Sequence, residues 1–187
     1  MAESLSPFNL QRWIEEHRDR LKPPVGAERV WKDSQFLIMV IGGPNARRDF
    51  HIDPSDEFFY QLEGDMVLEY IDGTGKRQGA TLREGDVLLM PANTPHSPQR
   101  PANTVGLVVE RVRGSKEPEG YAWYCERCDV KLYELSRGEG DILMDLRKVS
   151  EQFNASEALR TCKACGYVQP VPTGPRLGLD GPPKVSG

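Results

Sequence analysis

This sequence of 187 residues has few histidines, no long apolar run and no excess of positive charge. Its longest apolar stretch, Phe36 to Ile41, falls far short of the roughly 20 residues that a membrane-spanning helix needs. A formal net charge of −4 argues against a surface for nucleic acid or for anionic lipid. The N-terminus carries neither a basic nor an apolar leader. We therefore expect a cytoplasmic protein whose partners are neither nucleic acid nor membrane.

Short strand-like runs occupy the middle of the chain. They are rich in β-branched and aromatic residues and are separated by turns of glycine, aspartate and proline. Regularly spaced short strands of this kind favour an all-β barrel or sandwich. The predicted strands span residues 36–41, 57–62, 66–71, 87–90 and 106–112.

The two ends of the chain differ in composition from this middle part. Asn9 is predicted to cap a short amphipathic helix that ends at residues 22–24, with His17 on its apolar stripe as a packing residue. We expect three units: a barrel with the N-terminal helix, a small cysteine-containing segment, and a flexible tail rich in proline and glycine. Their predicted ranges are 1–118, 119–169 and 170–187.

Two of the three histidines fit a metal-binding set. His51 is followed six residues later by Glu57, and His96 lies on a later segment. Two imidazoles and one carboxylate on one face of an ion leave the opposite face open. Non-haem Fe(II) enzymes that bind a substrate and O2 together use this arrangement. The pattern therefore indicates an enzyme.

Other polar side chains are predicted to project beside these ligands. Arg47 and Asp49 share the strand parity of His51, so all three would point to one side of an extended segment. Arg100 shares the parity of His96 in the same way. The two segments thus bring basic and acidic groups to one region.

Glu110 is predicted to face inward, because it shares strand parity with Val108 and Val112. A buried carboxylate needs a cation, a hydrogen-bond network or a ligand, and Arg47 and Arg100 are the candidate partners. Taken singly, each of these polar residues is equally well explained as a strand-end cap or as part of a stabilising ion-pair network. Their convergence on two segments favours a site.

The spacing of these residues resembles the two motifs of the cupin family. The first motif is matched at Gly43, His51, Glu57 and Gly64, and the second at Gly85, Pro91 and His96. Asp53, Asn93 and Arg100 stand where the motifs carry histidine, glycine and asparagine. Replacement of the second histidine leaves two histidines and one glutamate, and so opens one more coordination position. The resemblance implies a mainly β jelly-roll barrel (double-stranded β-helix).

Six longer strings are more informative than the motif spacing: Leu21-Lys-Pro-Pro-Val25, Gly42-Gly-Pro-Asn45, Arg47-x-Asp-Phe-His51, Glu57-Phe-Phe-Tyr-Gln61, Pro95-His-Ser-Pro98 and Val108-Val-Glu-Arg111. Through these strings the chain resembles, within the cupins, the 3-hydroxyanthranilate 3,4-dioxygenase family from about Pro7 to Gly166. The strings are far more specific than the general cupin pattern. Phe50 stands where the family usually has tyrosine.

The resemblance implies a reaction and a role for each site residue. Enzymes of this family open the ring of 3-hydroxyanthranilate with O2 to give 2-amino-3-carboxymuconate semialdehyde, which closes to quinolinate, a precursor of NAD in the kynurenine pathway of tryptophan degradation. The implied iron ligands are His51, Glu57 and His96; the implied substrate contacts are Arg47, Arg100, Glu110 and Glu57; and the implied catalytic groups are Glu110 and Asp49. Asp49 is equally well explained as the ion-pair partner of Arg47.

The four cysteines form two pairs, Cys125-x2-Cys128 and Cys162-x2-Cys165. In a reducing compartment, two such knuckles are typical of one tetrahedral thiolate site rather than of disulfides. Gly166 after the second knuckle favours the tight turn that brings backbone amides close to sulfur. We expect a rubredoxin-like site for Fe or Zn, since thiolates alone do not select the metal. Its expected role is to fold the C-terminal segment, although a redox role stays open.

Two other functions are compatible with the pattern. The barrel could be a binding module that holds a small carboxylate without turnover, or a dioxygenase for another o-aminophenol or catechol. Arg47 and Arg100 favour a carboxylated substrate over a neutral phenol. By analogy of fold we also expect a homodimer.

Overall fold

The computed structural model describes residues 6–23, 26–31, 34–114, 117–137 and 142–173, with side chains described outside 137–147. Pro24, at the expected end of the N-terminal helix, and residues 174–187 of the predicted tail lie outside these ranges. Within the described part, no helix is long and apolar enough to cross a membrane. The elements are α1 (Leu10–His17), β1 (Ala27–Arg29), β2 (Phe36–Gly42), β3 (Asp49–Ile52), β4 (Glu57–Glu63), β5 (Met66–Ile71), β6 (Arg77–Leu82), β7 (Val87–Met90), β8 (His96–Gln99), β9 (Val105–Arg111), β10 (Glu119–Tyr124), β11 (Lys131–Arg137), α2 (Ile142–Ala155) and α3 (Glu157–Arg160).

The strands form two antiparallel sheets. The five-stranded sheet has the order β1-β2-β9-β4-β7 and the six-stranded sheet the order β11-β10-β3-β8-β5-β6. Side chains alternate across each strand, so one face of each sheet is apolar and is buried against the other. Phe59 and Val108 from the first sheet pack with Met66 and Leu68 from the second. The predicted mainly β, cupin-type jelly-roll barrel is confirmed.

The five strands predicted from the sequence all form, with ends that shift by one residue at most. Strands β6 and β8 gave no such signal, because Arg77–Leu82 is mostly polar or small and His96–Gln99 contains a proline. The prediction for Val112 is wrong, since its side chain is 52% exposed. Strand β9 ends at Arg111, opposite Phe36 of β2, so Val112 lies beyond the last strand pair.

The N-terminal helix packs on the outside of the barrel. Asn9 caps it as predicted, because its side chain accepts a hydrogen bond from the Arg12 amide at 2.9 Å. The helix ends at His17, earlier than the expected residues 22–24, and turns follow. Ile14 packs in a cluster with Val40 of β2. The His17 ring stacks on Trp13 with a centroid separation of 4.1 Å and is a packing residue.

The chain after the barrel motifs continues the six-stranded sheet. Strand β10 pairs with β3, with Tyr121 opposite His51, and β11 pairs with β10. The predicted unit boundary at 118/119 therefore falls directly before a strand of the barrel sheet. Helix α2 covers this strand, since Phe153 stacks on Trp123 with centroids 4.6 Å apart. The sheet and the cysteine segment are thus joined through one continuous strand.

Candidate metal and substrate site

Three strands bring the two histidines and the glutamate together between the sheets. His51 lies directly opposite His96 in the pairing of β3 with β8, and Glu57 begins β4 in the other sheet. All three side chains are buried. One potential ligand atom from each lies within 4.8 Å of the other two. The sequence prediction that these residues share one site agrees with this geometry.

The hydrogen bonds around the two imidazoles define which ring nitrogens are free. His51 donates from Nε2 to Glu119 Oε2 at 3.0 Å, because a carboxylate oxygen only accepts. His96 donates from Nδ1 to the Thr94 carbonyl at 2.9 Å for the same reason. The remaining nitrogens, Nδ1 of His51 and Nε2 of His96, lie 3.2 and 3.1 Å from Glu57 Oε1. In the neutral rings these nitrogens carry lone pairs.

The donor set fits a divalent cation. Glu57 Oε1 is fully buried without a hydrogen-bond partner, as expected where two lone pairs and a carboxylate oxygen face one another. Without a cation, protons have to compensate the buried charge. Despite burial, Glu57 and Glu119 raise the pKa of His51 to about 10, and the two imidazoles hold the pKa of Glu57 well below its usual range. A metal ion would replace those protons and satisfy all three ligands.

Asp53, at the position of the second motif histidine, does not join this cluster. Its Oδ1 accepts a hydrogen bond from the Ser55 amide at 2.7 Å, and its Oδ2 is held by Arg113. Asn93, which replaces the motif glycine, adopts φ 60°, in the left-handed region that asparagine tolerates better than most residues. Two departures from the motif thus have a structural explanation.

Two arginines lie on the segments that carry the two histidines. Arg47 forms a buried ion pair with Asp49, with Nε 3.1 Å from Oδ2. Arg100 donates from Nη1 to Gln61 Oε1 at 3.2 Å, while its Nη2 is buried without a partner. Burial and the nearby charge of Arg47 lower the pKa of Arg100 to about 10. A buried guanidinium group with one donor left unpaired is suited to bind an anion.

The room for Arg100 comes from a glycine in the neighbouring sheet. A Cβ atom on Gly106 would lie 2.6 Å from Nη1 and 2.9 Å from Nη2 of Arg100. Contacts this short would force the guanidinium to move. Gly106 therefore permits the position that Arg100 occupies.

Glu110 is buried as predicted, but its expected partners are wrong. Its Oε2 lies 3.2 Å from Nη1 of Arg113 rather than against Arg47 or Arg100. Burial and repulsion by Glu57 raise the pKa of Glu110 to about 8, although Arg113 opposes this. The carboxyl is thus held near its point of protonation at neutral pH.

Sequence reasoning missed Arg113 and Glu119. Arg113 follows the last residue of β9 by two positions, where no strand parity applies. Glu119 opens an otherwise aromatic and small-residue strand, Glu119–Tyr124, that is buried along its whole length. A single carboxylate in such a strand is a signal of a buried polar contact.

The four cysteines meet as predicted. Cys125 Sγ lies 3.6 Å from Cys165 Sγ, and Cys128 Sγ lies 3.5 Å from Cys162 Sγ, too far for disulfides. All four sulfurs lie within 4.8 Å of one another. This arrangement is able to hold one metal ion.

The two knuckles repeat the same local geometry. The Asp129 amide donates to the Cys125 carbonyl at 2.9 Å, and the Gly166 amide to the Cys162 carbonyl at 2.8 Å. Gly166 has φ 72° and Asp129 has φ 62°, so both turns use the left-handed region. The Arg127 amide approaches Cys125 Sγ at 3.4 Å, as expected for such a knuckle.

Comparison with known proteins gives the family of this chain. The family model described as 3-hydroxyanthranilic acid dioxygenase matches residues 2–154. A relative from Bacillus thuringiensis (strain Al Hakam), named 3-hydroxyanthranilate 3,4-dioxygenase, is 45% identical over 174 residues, which cover 93% of this chain and 97% of the relative. A relative of the same name from Paraburkholderia phytofirmans is 49% identical, over 88% of this chain and 94% of its own.

Among solved structures, a cupin-2 domain-containing protein from Shewanella frigidimarina aligns with a TM-score of 0.43 and 15% identity, over 56% of this chain and 100% of that chain. The family match spans most of the sequence and includes all the residues of the His51, Glu57 and His96 cluster. The chain belongs to the 3-hydroxyanthranilic acid dioxygenase family.

Proposed function

We propose that this chain opens the ring of 3-hydroxyanthranilate with O2 at an iron(II) centre held by His51, Glu57 and His96. One observation carries the proposal: Glu57 Oε1 has no hydrogen-bond partner and faces two imidazole lone pairs, and Arg100, directly after β8, has a buried Nη2 without a partner. The relatives' shared name gives the substrate. The family membership makes this reaction the first to test.

The two arginines are assigned to the substrate carboxylate. Arg100 Nη2 is a buried donor without a partner, so an entering carboxylate would satisfy it by a charge-assisted hydrogen bond. The charge of Arg47 lowers the pKa of Arg100, which means that the two guanidinium groups already repel each other. An anion between them would relieve that repulsion. Both features favour a carboxylated substrate over a neutral phenol.

An iron(II) ion on these three ligands would supply the oxygen chemistry, because a set of two histidines and one carboxylate leaves positions for the adjacent hydroxyl and amino groups of the substrate and for O2. The protein's own part is to orient these groups. Glu119 fixes the His51 ring and the Thr94 carbonyl fixes the His96 ring, so the ligand atoms are positioned before metal and substrate arrive.

Glu110 is assigned as the acceptor of the substrate's hydroxyl proton. Its carboxyl is buried, and a pKa raised to about 8 makes the ionised form a stronger base than an exposed glutamate. Arg113 at 3.2 Å supports that ionised form. For Asp49, the ion pair with Arg47 favours a role in holding the arginine over a role in proton transfer.

The proposed reaction inserts both atoms of O2 and breaks the ring bond between the hydroxyl-bearing carbon and the adjacent unsubstituted carbon, on the side away from the amino group. The product, 2-amino-3-carboxymuconate semialdehyde, then closes to quinolinate without the enzyme. No external reductant enters this balance, because the ring itself supplies the four electrons that O2 takes up.

We also propose one Fe or Zn ion at the four cysteines, with a structural role. The knuckles lie at the ends of the segment that follows β10, and α2 and α3 lie between them. Such a short segment buries little core of its own, so a metal crosslink would hold its ends together. Metal analysis of the purified protein identifies the ion.

A homodimer is proposed from the outer face of the five-stranded sheet. Val87 and Leu89 on edge strand β7 are each 60% exposed, and Phe58 beside them on β4 is 37% exposed. Apolar side chains in a row on one sheet face are typical of a surface that another protein covers. Light scattering or sedimentation of the wild type and a Val87→Lys variant tests whether this face joins two copies.

The decisive experiment mixes anaerobic, Fe(II)-loaded protein with 3-hydroxyanthranilate, admits O2, and follows product absorbance together with oxygen uptake. One O2 consumed per product, with no turnover in His51→Ala, supports the proposal. Tight substrate binding without oxygen uptake would instead favour a binding module. Faster turnover of 2-aminophenol than of 3-hydroxyanthranilate would indicate a different o-aminophenol or catechol substrate.

A further inference from the structure

One guanidinium group touches three buried carboxylates around the metal and substrate site. Arg113 Nη1 contacts Asp53 Oδ2 and lies 3.2 Å from Glu110 Oε2, and its Nη2 lies 3.0 Å from Glu119 Oε2. The side chain of Arg113 is 14% exposed, and those of the carboxylates are at most 3% exposed. Arg113 itself has no role among the proposed metal ligands and substrate contacts.

The contact with Glu119 reaches a proposed metal ligand. Glu119 Oε2 accepts from His51 Nε2, from the Tyr121 hydroxyl and from Arg113, all at 3.0 Å. Three donors on one oxygen keep this carboxylate ionised and in place. Because Glu119 can only accept, His51 has to hold its proton on Nε2 and direct the lone pair of Nδ1 toward Glu57.

The contact with Glu110 reaches the substrate side of the site. Without a cation, the carboxylates of Glu110, Glu57 and Asp53 would repel one another in a buried space. Arg113 is the cation that contacts Glu110 in the described part of the chain. It therefore sets both the position and the charge of the proposed proton acceptor.

The contact with Asp53 concerns a position that is a metal ligand in the general cupin motif. Both oxygens of Asp53 are occupied, Oδ1 by Ser55 and Oδ2 by Arg113. A carboxylate held in this way is turned to the guanidinium rather than to the ion. The coordination position opened by the missing histidine is thus kept free.

We propose that Arg113 is a positioning residue that couples the metal ligand His51 to the proton acceptor Glu110 and keeps Asp53 away from the ion. The planar fork of the guanidinium matters, because two of its nitrogens reach carboxylates on three separate segments. The expected effect of Arg113 on turnover rests on the proposed function. Its expected effect on metal binding rests only on the geometry of His51 and Glu119.

The test uses full-length protein with the substitutions Arg113→Met and Arg113→Lys. Iron(II) is added anaerobically in the presence of nitric oxide, and the S = 3/2 electron paramagnetic resonance signal of the nitrosyl complex reports iron that has an open position. We expect Arg113→Met to need about tenfold more iron for half-saturation, as is usual when the partner of a ligating histidine is disturbed. The iron concentration that half-saturates Arg113→Lys should lie between those of Arg113→Met and the wild type.

Kinetics give the second readout. In iron-saturated Arg113→Met, kcat should fall roughly 10- to 100-fold, because Glu110 stays in place but loses its orientation, and so loses part of the ~10²–10⁴-fold that a positioned proton acceptor contributes. KM should change by less than about threefold, since Arg47 and Arg100 keep their charge-assisted contacts with the carboxylate. A purely structural role would lower the melting temperature without separating kcat from KM in this way.

Arg111→Met is the matched control. Arg111 lies two residues earlier and pairs with Glu117 in an exposed ion pair that does not reach the site. The proposal is overturned if the iron concentration for half-saturation and the kcat of Arg113→Met both stay within twofold of the wild type. It is also overturned if Arg111→Met loses as much iron affinity and kcat as Arg113→Met. Should Arg113→Met fail to fold, Glu119→Gln decides instead, and an unchanged iron titration in that variant rejects the coupling.

The iron titration requires no turnover. An inactive wild type that still binds iron would therefore reject the proposed function alone, while the titration would still decide the role of Arg113.

Discussion

His51 and His96 face each other across β3 and β8, yet they turn different ring nitrogens toward Glu57. His51 presents Nδ1 at 3.2 Å and His96 presents Nε2 at 3.1 Å. The difference follows from what lies behind each ring, the Glu119 carboxylate for His51 and the Thr94 carbonyl for His96. The candidate metal site is thus shaped by acceptors that are not among its proposed ligands.

We predict that His51→Ala abolishes iron-dependent turnover, whereas Arg47→Ala mainly weakens substrate binding. The first change removes a proposed metal ligand, and the second removes a positive charge proposed to contact the substrate carboxylate. Iron content and the KM and kcat of both variants check this division of roles. Equal and mild losses in both variants would contradict it.

We predict that Gly106→Ala raises KM for 3-hydroxyanthranilate roughly 10- to 100-fold without removing any charge, since a hydrogen bond to a charged group is worth ~1.5–3 kcal/mol. The new methyl group would lie 2.6 Å from Arg100 Nη1 and would displace the guanidinium. Steady-state kinetics measure the effect. Gly73→Ala is the control, because a Cβ there meets nothing within 4 Å. A normal KM in Gly106→Ala would show that Arg100 does not set the affinity for 3-hydroxyanthranilate.

We predict that the metal-free protein loses stability as pH rises from about 4.5 to 8, in part through Glu110. Burial raises the pKa of this carboxyl to about 8 in the folded state, from 4.5 in the unfolded chain. Between these two pKa values the folded state binds more protons than the unfolded chain. The stabilisation is fully present below pH 4.5 and is lost as the pH rises toward 8. The contribution is at most about 5 kcal/mol, at 1.36 kcal/mol per pKa unit.

Denaturant unfolding of wild type and Glu110→Gln at several pH values measures this contribution. The difference between the two proteins isolates Glu110 from the titration of the neighbouring His51 and Glu57. Parallel curves for both proteins would show that Glu110 titrates normally.

We predict that the double substitution Cys125→Ser and Cys128→Ser removes the second metal ion and lowers the melting temperature. Loss of the crosslink frees the segment that carries α2 and α3, including the contact of Phe153 with Trp123. Iron-dependent turnover should persist at temperatures where the variant stays folded, as checked by circular dichroism. A loss of turnover in folded protein would instead support a redox role for the cysteine site.

The sequence by itself determined the parts of this protein that depend on local patterns. The spacing of His51, Glu57 and His96 indicated a common metal site, and the paired cysteines indicated a second one. Short runs of β-branched and aromatic residues between turn residues predicted five strands, because both signals lie in the local sequence. The parity of Glu110 also predicted correctly that it is buried.

The tertiary structure decided which groups meet across the barrel. Pairing of β10 with β3 brings Glu119 to His51, 68 residues earlier in the chain. The chain beyond β9 turns Arg113 toward three carboxylates, so that it replaces Arg47 and Arg100 as the partner of Glu110. No local pattern records these contacts, because sheet order and the path of a loop follow from packing the whole chain into one core.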